Sequence, residues 1–276
     1  MPVFRSAPRA ASRSVSGTSP PSRLASLGVL LAQRVLLLAG VLGVWSFAAR
    51  GVPAFILPGP EKVGAALWML LHTASFSRDV AATLGRVVSG FALALVVGTV
   101  LGLGLGSSRL LRQFFAPVLA VINTVSSAIW AIFAIIWFGI SDGTTVFVVF
   151  MTAMPLVLTN VWQGVVNVPA DYLELARSFR LSRLATLRKI VFPSILPYLF
   201  SGARLAFGFG WRVSLVAETI GSSSGIGYRL RQAADLVQTD QVFAWTLALV
   251  AIMLLLEGGI LKPAERRLFR WKQASP

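Results

Sequence analysis

Between two long apolar runs lies the stretch 174-ELARSFRLSRLATLRKIVFP-193, which carries five positive charges and one negative charge. An excess of Arg and Lys in a short loop between membrane spans places that loop in the cytoplasm. The stretch has the pattern of two short helices, because Glu174 to Phe179 forms a helical turn and a half and Ser182 suits the N-cap of a second helix. Pro193 is expected to end that second helix. The stretch therefore predicts a paired-helix projection on the cytoplasmic side of a membrane protein.

The composition of the chain is that of an integral membrane protein. The chain is 56% hydrophobic and 13% charged, and its mean hydropathy is +0.77, which is outside the range of soluble domains. A bilayer core needs about 20 apolar residues per helix. Runs of this length lie at 27–49, 83–106, 115–138, 144–166, 194–219 and 241–261. We predict an all-α integral membrane protein with six transmembrane helices and a cytoplasmic loop between spans 4 and 5.

The distribution of charge sets the predicted topology. With the N-terminus inside, the cytoplasmic segments hold 17 of the 25 Lys and Arg residues, which favours a multi-pass membrane protein with both termini in the cytoplasm. The net charge of +15 does not indicate a nucleic-acid partner, because the charge lies in loops next to spans.

Several kinds of chemistry are missing from the sequence. Cysteine is absent, so no disulfide or thiolate metal site is available. No cluster of His, Asp and Glu has the spacing of metal ligands, so neither a metal nor a catalytic residue is predicted. No Gly-x4-Gly-Lys-Ser/Thr sequence occurs, so the chain does not bind ATP through a P-loop. Any ATP and Mg²⁺ used in its function would be bound by another polypeptide.

Arg212 and Glu218 are the informative charged residues of the fifth span. Arg212 is the residue that looks charged and intramembrane, and such an Arg normally faces the bundle interior or a wet cavity. A structural role, bonding to neighbouring carbonyls or to Glu218, is as good an interpretation as lining a pathway. Glu218 lies near the outer interface, where it would line the pathway or hold a loop.

Polar residues also open the second half of the third span. They could line a pathway or only hydrogen-bond to adjacent helices, and the residues are Asn123, Ser126, Ser127 and Trp130.

The paired-helix stretch resembles the "EAA" coupling loop of binding-protein-dependent ABC importer permeases. That loop has Glu-Ala-Ala, three residues, Gly, nine residues and Ile-x-Leu-Pro. Four residues match at the family's spacing, namely Glu174, Ala176, Ile190 and Pro193; three depart from it, Leu175, Arg180 and Phe192. We expect Arg180 to turn in ordinary right-handed geometry. Further similarity to the nitrate/sulfonate/taurine-type permeases lies in Ala82–Phe91, Trp137–Gly139, Val216–Glu218, Gly225–Tyr228 and Thr239–Ala244.

The resemblance implies a function and a set of partners. The chain would be the permease subunit of an ATP-driven importer for a small, sulfonate-, nitrate- or taurine-like solute. It would form a homodimer, with two cytoplasmic ATP-binding subunits and an extracytoplasmic solute-binding protein. The residues implied to couple to the ATPase are Glu174, Leu175, Ala176, Arg177, Arg180, Ser182 and Pro193. Related permeases carry prolines where Ser126 and Ser127 stand, so we expect a straighter helix here.

The predicted organisation has four parts. Residues 1–26 form a disordered cytoplasmic tail, 27–76 the first span and an outer amphipathic segment, 77–262 the permease domain, and 263–276 a basic cytoplasmic tail. Two alternatives remain open at this point. One is a permease for an uncharged vitamin precursor, and the other is a secondary transporter driven by an ion gradient, which often carries internal repeats and acidic ion ligands.

Overall fold

A computed structural model describes residues 23–263, which are almost entirely helical and contain no β-strand. In chain order the helices are α1 (Arg23–Arg50), α2 (Pro60–Leu71), α3 (Ala74–Ser107), α4 (Arg109–Thr124), α5 (Ser127–Phe138), α6 (Asp142–Val166), α7 (Ala170–Ser178), α8 (Arg183–Thr186), α9 (Phe192–Gly221), α10 (Ile226–Asp235) and α11 (Thr239–Leu256). The all-α prediction is confirmed. The predicted tails at 1–26 and 263–276 lie outside the described residues, apart from 23–26, which belong to α1, and Pro263.

The helices supply the predicted six spans. Five helical segments are long and apolar enough to cross a bilayer, and α4 and α5 together make a sixth, bent by 94° where they meet. Helix α1 belongs to a separate unit that ends at Gly51, and eight of its large apolar side chains between Val35 and Phe47 are exposed, as suits a helix whose solvent is lipid. The second unit begins at Val52 and contains all the other helices.

A row of glycines brings α3 into close contact with α6. Small residues recur every four positions along one face of α3, at Gly90, Ala94, Gly98, Gly102 and Gly106. A Cβ atom on Gly102 would lie 2.8 Å from the Cβ of Val161, and one on Gly98 would lie 2.9 Å from the Cβ of Val157. Small-xxx-small spacing allows such backbone approach in membranes. The Gly-rich end of the second span is therefore a packing surface and not a nucleotide loop.

Helix α9 packs on the other side of α6 and completes the core. Gly202 of α9 lies so close to α6 that an added Cβ would meet Asn160 at 2.8 Å. Ile195 and Ala206 of α9 are fully buried beside Val157 and Val161 of α6. The three helices α3, α6 and α9 thus form the framework that holds the shorter elements.

Pro193 does not end a helix, contrary to the prediction. It lies in the first turn of α9, which follows α8 through a π-helical turn at Leu187–Val191. In that turn the Phe192 amide donates to the carbonyl of Leu187, one residue further back than in an α-helix. A π turn is wider than an α turn and tolerates the proline, which lacks an N–H and crowds the preceding turn. One helical segment therefore continues from Arg183 to Gly221.

A buried ion pair joins α3 to α9. The Arg86 Nη1 atom lies 2.7 Å from Oε1 of Glu218, and both side chains are almost completely buried. Arg86 also donates to the carbonyl and hydroxyl oxygens of Ser224 at 2.7 and 2.6 Å, and its Nε donates to Asp142 at 2.7 Å. This guanidinium therefore contacts α9, the loop after α9 and the start of α6.

The loop between α9 and α10 is held by the same group of residues. Backbone amides of the loop donate to Asp79, Thr83 and Glu218, at 3.0, 2.9 and 2.9 Å respectively. Gly225 has a φ of +101°, and a Cβ atom there would lie 2.7 Å from both Arg86 and Glu218. Only glycine fits this position. We call Asp79, Thr83, Arg86 and Glu218 with the backbone of 224–227 the Arg86 cluster.

Removal of one charge from the pair should destabilise the fold strongly. The Arg86→Met substitution leaves the Glu218 carboxylate buried without its counter-ion, which costs about 3–5 kcal/mol in comparable cases. We expect a large fall in the thermal unfolding midpoint of the purified protein in detergent. The double variant Arg86→Met/Glu218→Met should lose less stability than the single one, since no uncompensated charge remains.

Arg231→Met is the matched control, because Arg231 is exposed and its guanidinium lies only over the Tyr228 ring, at 5.7 Å. Its unfolding midpoint should stay close to that of the wild type. Equal midpoints for Arg86→Met and Arg231→Met would refute the structural role of the Arg86–Glu218 pair.

Candidate functional site

The paired-helix segment consists of α7 and α8, joined by a tight turn. The Leu181 amide donates to the carbonyl of Ala176 and the Arg180 amide donates to that of Arg177, both at 2.9 Å. These two bonds form the Schellman arrangement that ends a helix. The segment has the two helical pieces predicted, and Ser182 caps the second by accepting a hydrogen bond from the Ala185 amide at 3.2 Å.

Arg180 does not have the right-handed geometry expected for it. Its φ is +50°, so it occupies the left-handed conformation in which the C-terminal residue of a Schellman turn is usually glycine. The "EAA" loop has Gly at this position, and the same backbone turn is made here with an Arg. A residue with a Cβ atom has a steric penalty of about 1–2 kcal/mol in this conformation.

Exposure divides the predicted coupling residues into two groups. Ala176 is only 3% exposed, so its small side chain faces the inside of the segment and does not present itself to a partner. Glu174, Leu175, Arg177 and Arg180 are exposed. Burial of Ala176 assigns its side chain to packing within the segment, and its role in coupling to an ATPase stays a prediction.

An apolar stripe on α7 was missed in the sequence. Tyr172, Leu175 and Phe179 are 52%, 53% and 72% exposed. Their spacing of three and four residues places them on one face of a helix. Large apolar residues on a projecting polar segment mark an interaction surface. The spacing was visible in the sequence, but only burial distinguishes an outward face from a core face.

The third span is broken, and not straighter as expected. Helix α4 ends where the Val125 amide bonds to the Val121 carbonyl, and the backbone of Val125 and Ser126 is extended. Ser126 then caps α5 by accepting a hydrogen bond from the Ala128 amide at 3.4 Å. Serine is a strong N-cap residue, so it starts a new helix here without a proline. The two helices meet at 94°.

The break opens a recess of about 340 Å³. The four polar residues predicted for this span all line it, namely Asn123, Ser126, Ser127 and Trp130. Thr152 of α6 adds a hydroxyl to the wall, and Phe209 of α9 closes one side. Irregular backbone at membrane depth is tolerated where it lines a cavity, which fits the position of the break.

A second recess, of about 320 Å³, shares Leu156 and Phe209 with the first. Arg212 and Arg204 of α9 line it, together with Glu257. The Arg204 Nη2 atom lies 3.0 Å from Oε1 of Glu257. Arg212 is exposed, and no hydrogen bond or ion pair joins it to another residue between 23 and 263. The alternative in which Arg212 is paired with Glu218 is therefore not found.

Glu218 lines neither of these two recesses. Its side chain is fully buried in the Arg86 cluster, where it holds the loop that follows α9. This contradicts the expectation of a pathway-lining role and agrees with the loop-holding alternative. Arg212 is also not alone as a charged residue within the spans, because Arg86 and Arg204 lie in α3 and α9. The sequence offered a signal for Arg86 and Arg204, because each is an Arg inside a predicted span.

Comparison with known proteins gives consistent matches. The family of binding-protein-dependent transport system inner membrane components matches residues 94–258. A protein of Escherichia coli strain K12 named as an aliphatic sulfonates transport permease is 31% identical over 85% of this chain and 90% of its own length. The nitrate import permease protein of Leptolyngbya laminosa is 30% identical over 79% of this chain and 81% of its own length.

A solved structure has the same fold. The chain is similar to one from an inward-facing conformation of the MetNI methionine ABC transporter, with a TM-score of 0.62, 20% identity, and coverage of 70% of this chain and 95% of that one. The family match extends over more than half of the sequence and includes α4 to α11 with both recesses and the paired-helix segment. The chain therefore belongs to the family of inner membrane components of binding-protein-dependent transport systems, the ABC importer permeases.

Proposed function

We propose that this chain is the permease subunit of an ATP-driven importer for a small anion. Two copies would surround a central pathway, with two cytoplasmic ATPase subunits on one side and an extracytoplasmic binding protein on the other. The observation that carries the proposal is the polar recess at the broken third span, next to Arg212, which has no ion-pair partner among residues 23–263. The sulfonate and nitrate relatives support an anionic substrate.

The recess has suitable chemistry for an anion. The hydroxyl groups of Ser126 and Ser127 and the second amide hydrogen of Asn123 are donors along its wall. The Thr152 hydroxyl donates instead to the carbonyl of Val148 at 2.7 Å. The first turn of α5 also begins there, and the N-terminus of a helix carries free N–H groups and a partial positive charge. Transporters commonly direct the ends of discontinuous helices at anionic substrate groups.

Arg212 supplies the formal charge. A guanidinium forms two parallel hydrogen bonds with carboxylate, sulfonate or nitrate oxygens. In a symmetric dimer two copies of Arg212 would face the same pathway and raise the local concentration of anions. Phe209, which separates the two recesses, is one helical turn before Arg212 on α9 and would move with it.

Transport is a change of conformation without covalent chemistry in this chain. Closure of the ATPase subunits would push on residues 171–190. Because α8 continues through the π turn into α9, that push would reach the helix carrying Phe209 and Arg212 without crossing a flexible loop. Coupling requires nucleotide and substrate to prefer different states. The proposed orientation has both termini and the paired-helix segment in the cytoplasm of a cell with an inner membrane.

Substitution of Arg212 tests the substrate charge. We expect Arg212→Gln to lower uptake of the anion at least tenfold. Arg212→Lys should retain part of the uptake, because lysine keeps the positive charge but cannot form the two parallel hydrogen bonds of a guanidinium. The measurement is uptake by vesicles that contain the reconstituted permease, ATPase and binding protein, with sulfonate, nitrate and an uncharged vitamin precursor as candidate solutes. Equal uptake by wild type and Arg212→Gln at matched protein levels would remove Arg212 from the pathway.

The apolar stripe on α7 should contribute to ATPase docking. Phe179→Ala removes its most exposed aromatic side chain, and interface aromatics of this kind contribute about 1–3 kcal/mol. We expect weaker co-purification of the ATPase and slower transport with a normally inserted permease. Phe55→Ala is the control, since Phe55 is also exposed but lies before α2. If both variants retain the ATPase equally well, the stripe is not the docking surface.

Two substitutions of Arg180 distinguish the effect of backbone strain from the effect of a side-chain contact. Arg180→Gly relieves the strained conformation and removes the guanidinium, whereas Arg180→Ala removes the guanidinium and keeps the strain. If Arg180 contacts the ATPase, both variants should lower substrate-stimulated ATP hydrolysis, and Arg180→Gly should be the more heat-stable of the two. Wild-type hydrolysis in both variants would exclude the contact.

A further inference from the structure

An apolar groove of about 300 Å³ runs between α3, α4 and α6, and its lining includes Leu105, Met154 and Leu158, which are buried residues of the core. All the side chains that line it are apolar, including Leu111, Phe115 and Ile122 of α4. The groove shares no lining residue with the second recess and only Ile122 with the first.

The groove has the length of one leaflet of a bilayer. Its wall on α4 extends from Leu111 to Ile122, which at 1.5 Å per residue is about 16 Å. The hydrocarbon core of a bilayer is about 30 Å thick, so the groove spans about half of it. Its wall on α4 begins at Leu111, three residues after Ser108 in the turn between α3 and α4.

Gly104 creates the space in the groove. Its neighbours Gly102 and Gly106 are in contact with α6, where an added Cβ would lie 2.8 and 2.5 Å from the Cβ atoms of Val161 and Val165. An added Cβ on Gly104 would meet nothing within 4 Å. The packing of the helices therefore does not require glycine here, and the missing side chain leaves the groove open.

Two arginines lie at the end of the groove nearest the turn. Arg109 and Arg112 are in the first turn of α4. Arg112 precedes Phe115 and Leu119 of the groove wall by three and seven residues, which places it on their face of the helix, and Arg109 lies one turn before it. Neither guanidinium has a hydrogen bond or ion pair to another residue in the part of the chain that the structure describes. Arg112 is half-buried. Basic pockets between transmembrane helices at the membrane surface attract anionic headgroups.

We propose that this groove binds one phospholipid with an anionic headgroup, whose acyl chain lies along α4 and whose phosphate is held by Arg109 and Arg112. An apolar channel of leaflet length with cations only at its surface end matches an amphiphile with that charge pattern. In the proposed orientation the lipid belongs to the cytoplasmic leaflet. The site is separate from the solute pathway and does not depend on which solute is carried.

Native mass spectrometry of the full-length chain in detergent tests this site, with palmitoyl-oleoyl phosphatidylglycerol and phosphatidylcholine as the two probes. We expect the wild type to retain at least one phosphatidylglycerol about tenfold more tightly than phosphatidylcholine. The Arg109→Gln/Arg112→Gln variant should lose this preference. Gly104→Leu fills the groove and should weaken retention of both lipids at the first site.

Gly85→Leu is the matched control, because Gly85 is another glycine of α3 with no atom within 4 Å of an added Cβ, but it is exposed and lies outside the groove. It should bind both lipids as the wild type does. Unfolding midpoints at or above that of the wild type are expected for both leucine variants, since each replaces a helical glycine in open space.

Two results would overturn the proposal. The first is retention of phosphatidylglycerol by Gly104→Leu equal to that of Gly85→Leu. The second is a shift of Gly104→Leu from dimer to monomer with lipid retention unchanged, which would show that a second copy of the chain covers the groove.

Discussion

The contact between Arg86 and Glu218 is the interaction on which the second unit most depends. It lies between the two longest helices, and it is buried where a charge without a partner would be costly. Because the same guanidinium also binds Ser224 and Asp142, one side chain determines where α3, α6, α9 and the loop before α10 meet. Gly225 completes the arrangement, since any side chain there would collide with both charged groups.

In the rest of the core, the backbones of neighbouring helices lie close together. In a membrane, burial of apolar surface does not drive helices together, so close packing and hydrogen bonds must do so. The glycine row of α3 and Gly202 of α9 bring both helices against α6. Helices α4 and α5 have fewer buried residues than α3, α6 and α9, which form the framework. The break between these two helices, and with it the polar recess, is therefore at the side of the core and not within it.

The framework also explains how the two functional regions can be connected. The paired-helix segment continues into α9 through the π turn, and α9 forms the wall that the two recesses share at Phe209. π turns often occur at functional sites because one extra residue changes the direction of a helix without ending it. A single continuous element therefore extends from the surface proposed for the ATPase to the residues proposed for the solute.

The sequence by itself determined the features that depend on neighbouring residues. Apolar runs located the six spans because a helix in lipid satisfies its own backbone, and Ser182 marked a helix start because a cap bond is local. Four residues that line the first recess were also found, because polar groups are rare inside a span, whereas Thr124 and Thr152 were missed. Only the tertiary structure decided which side chains face outward, as with Ala176 and Phe179. It alone also revealed the left-handed turn at Arg180, which depends on how α7 and α8 are joined, and the partner of Glu218, which lies 132 residues away. Such contacts are set by how distant helices pack, and no local pattern in the sequence records them.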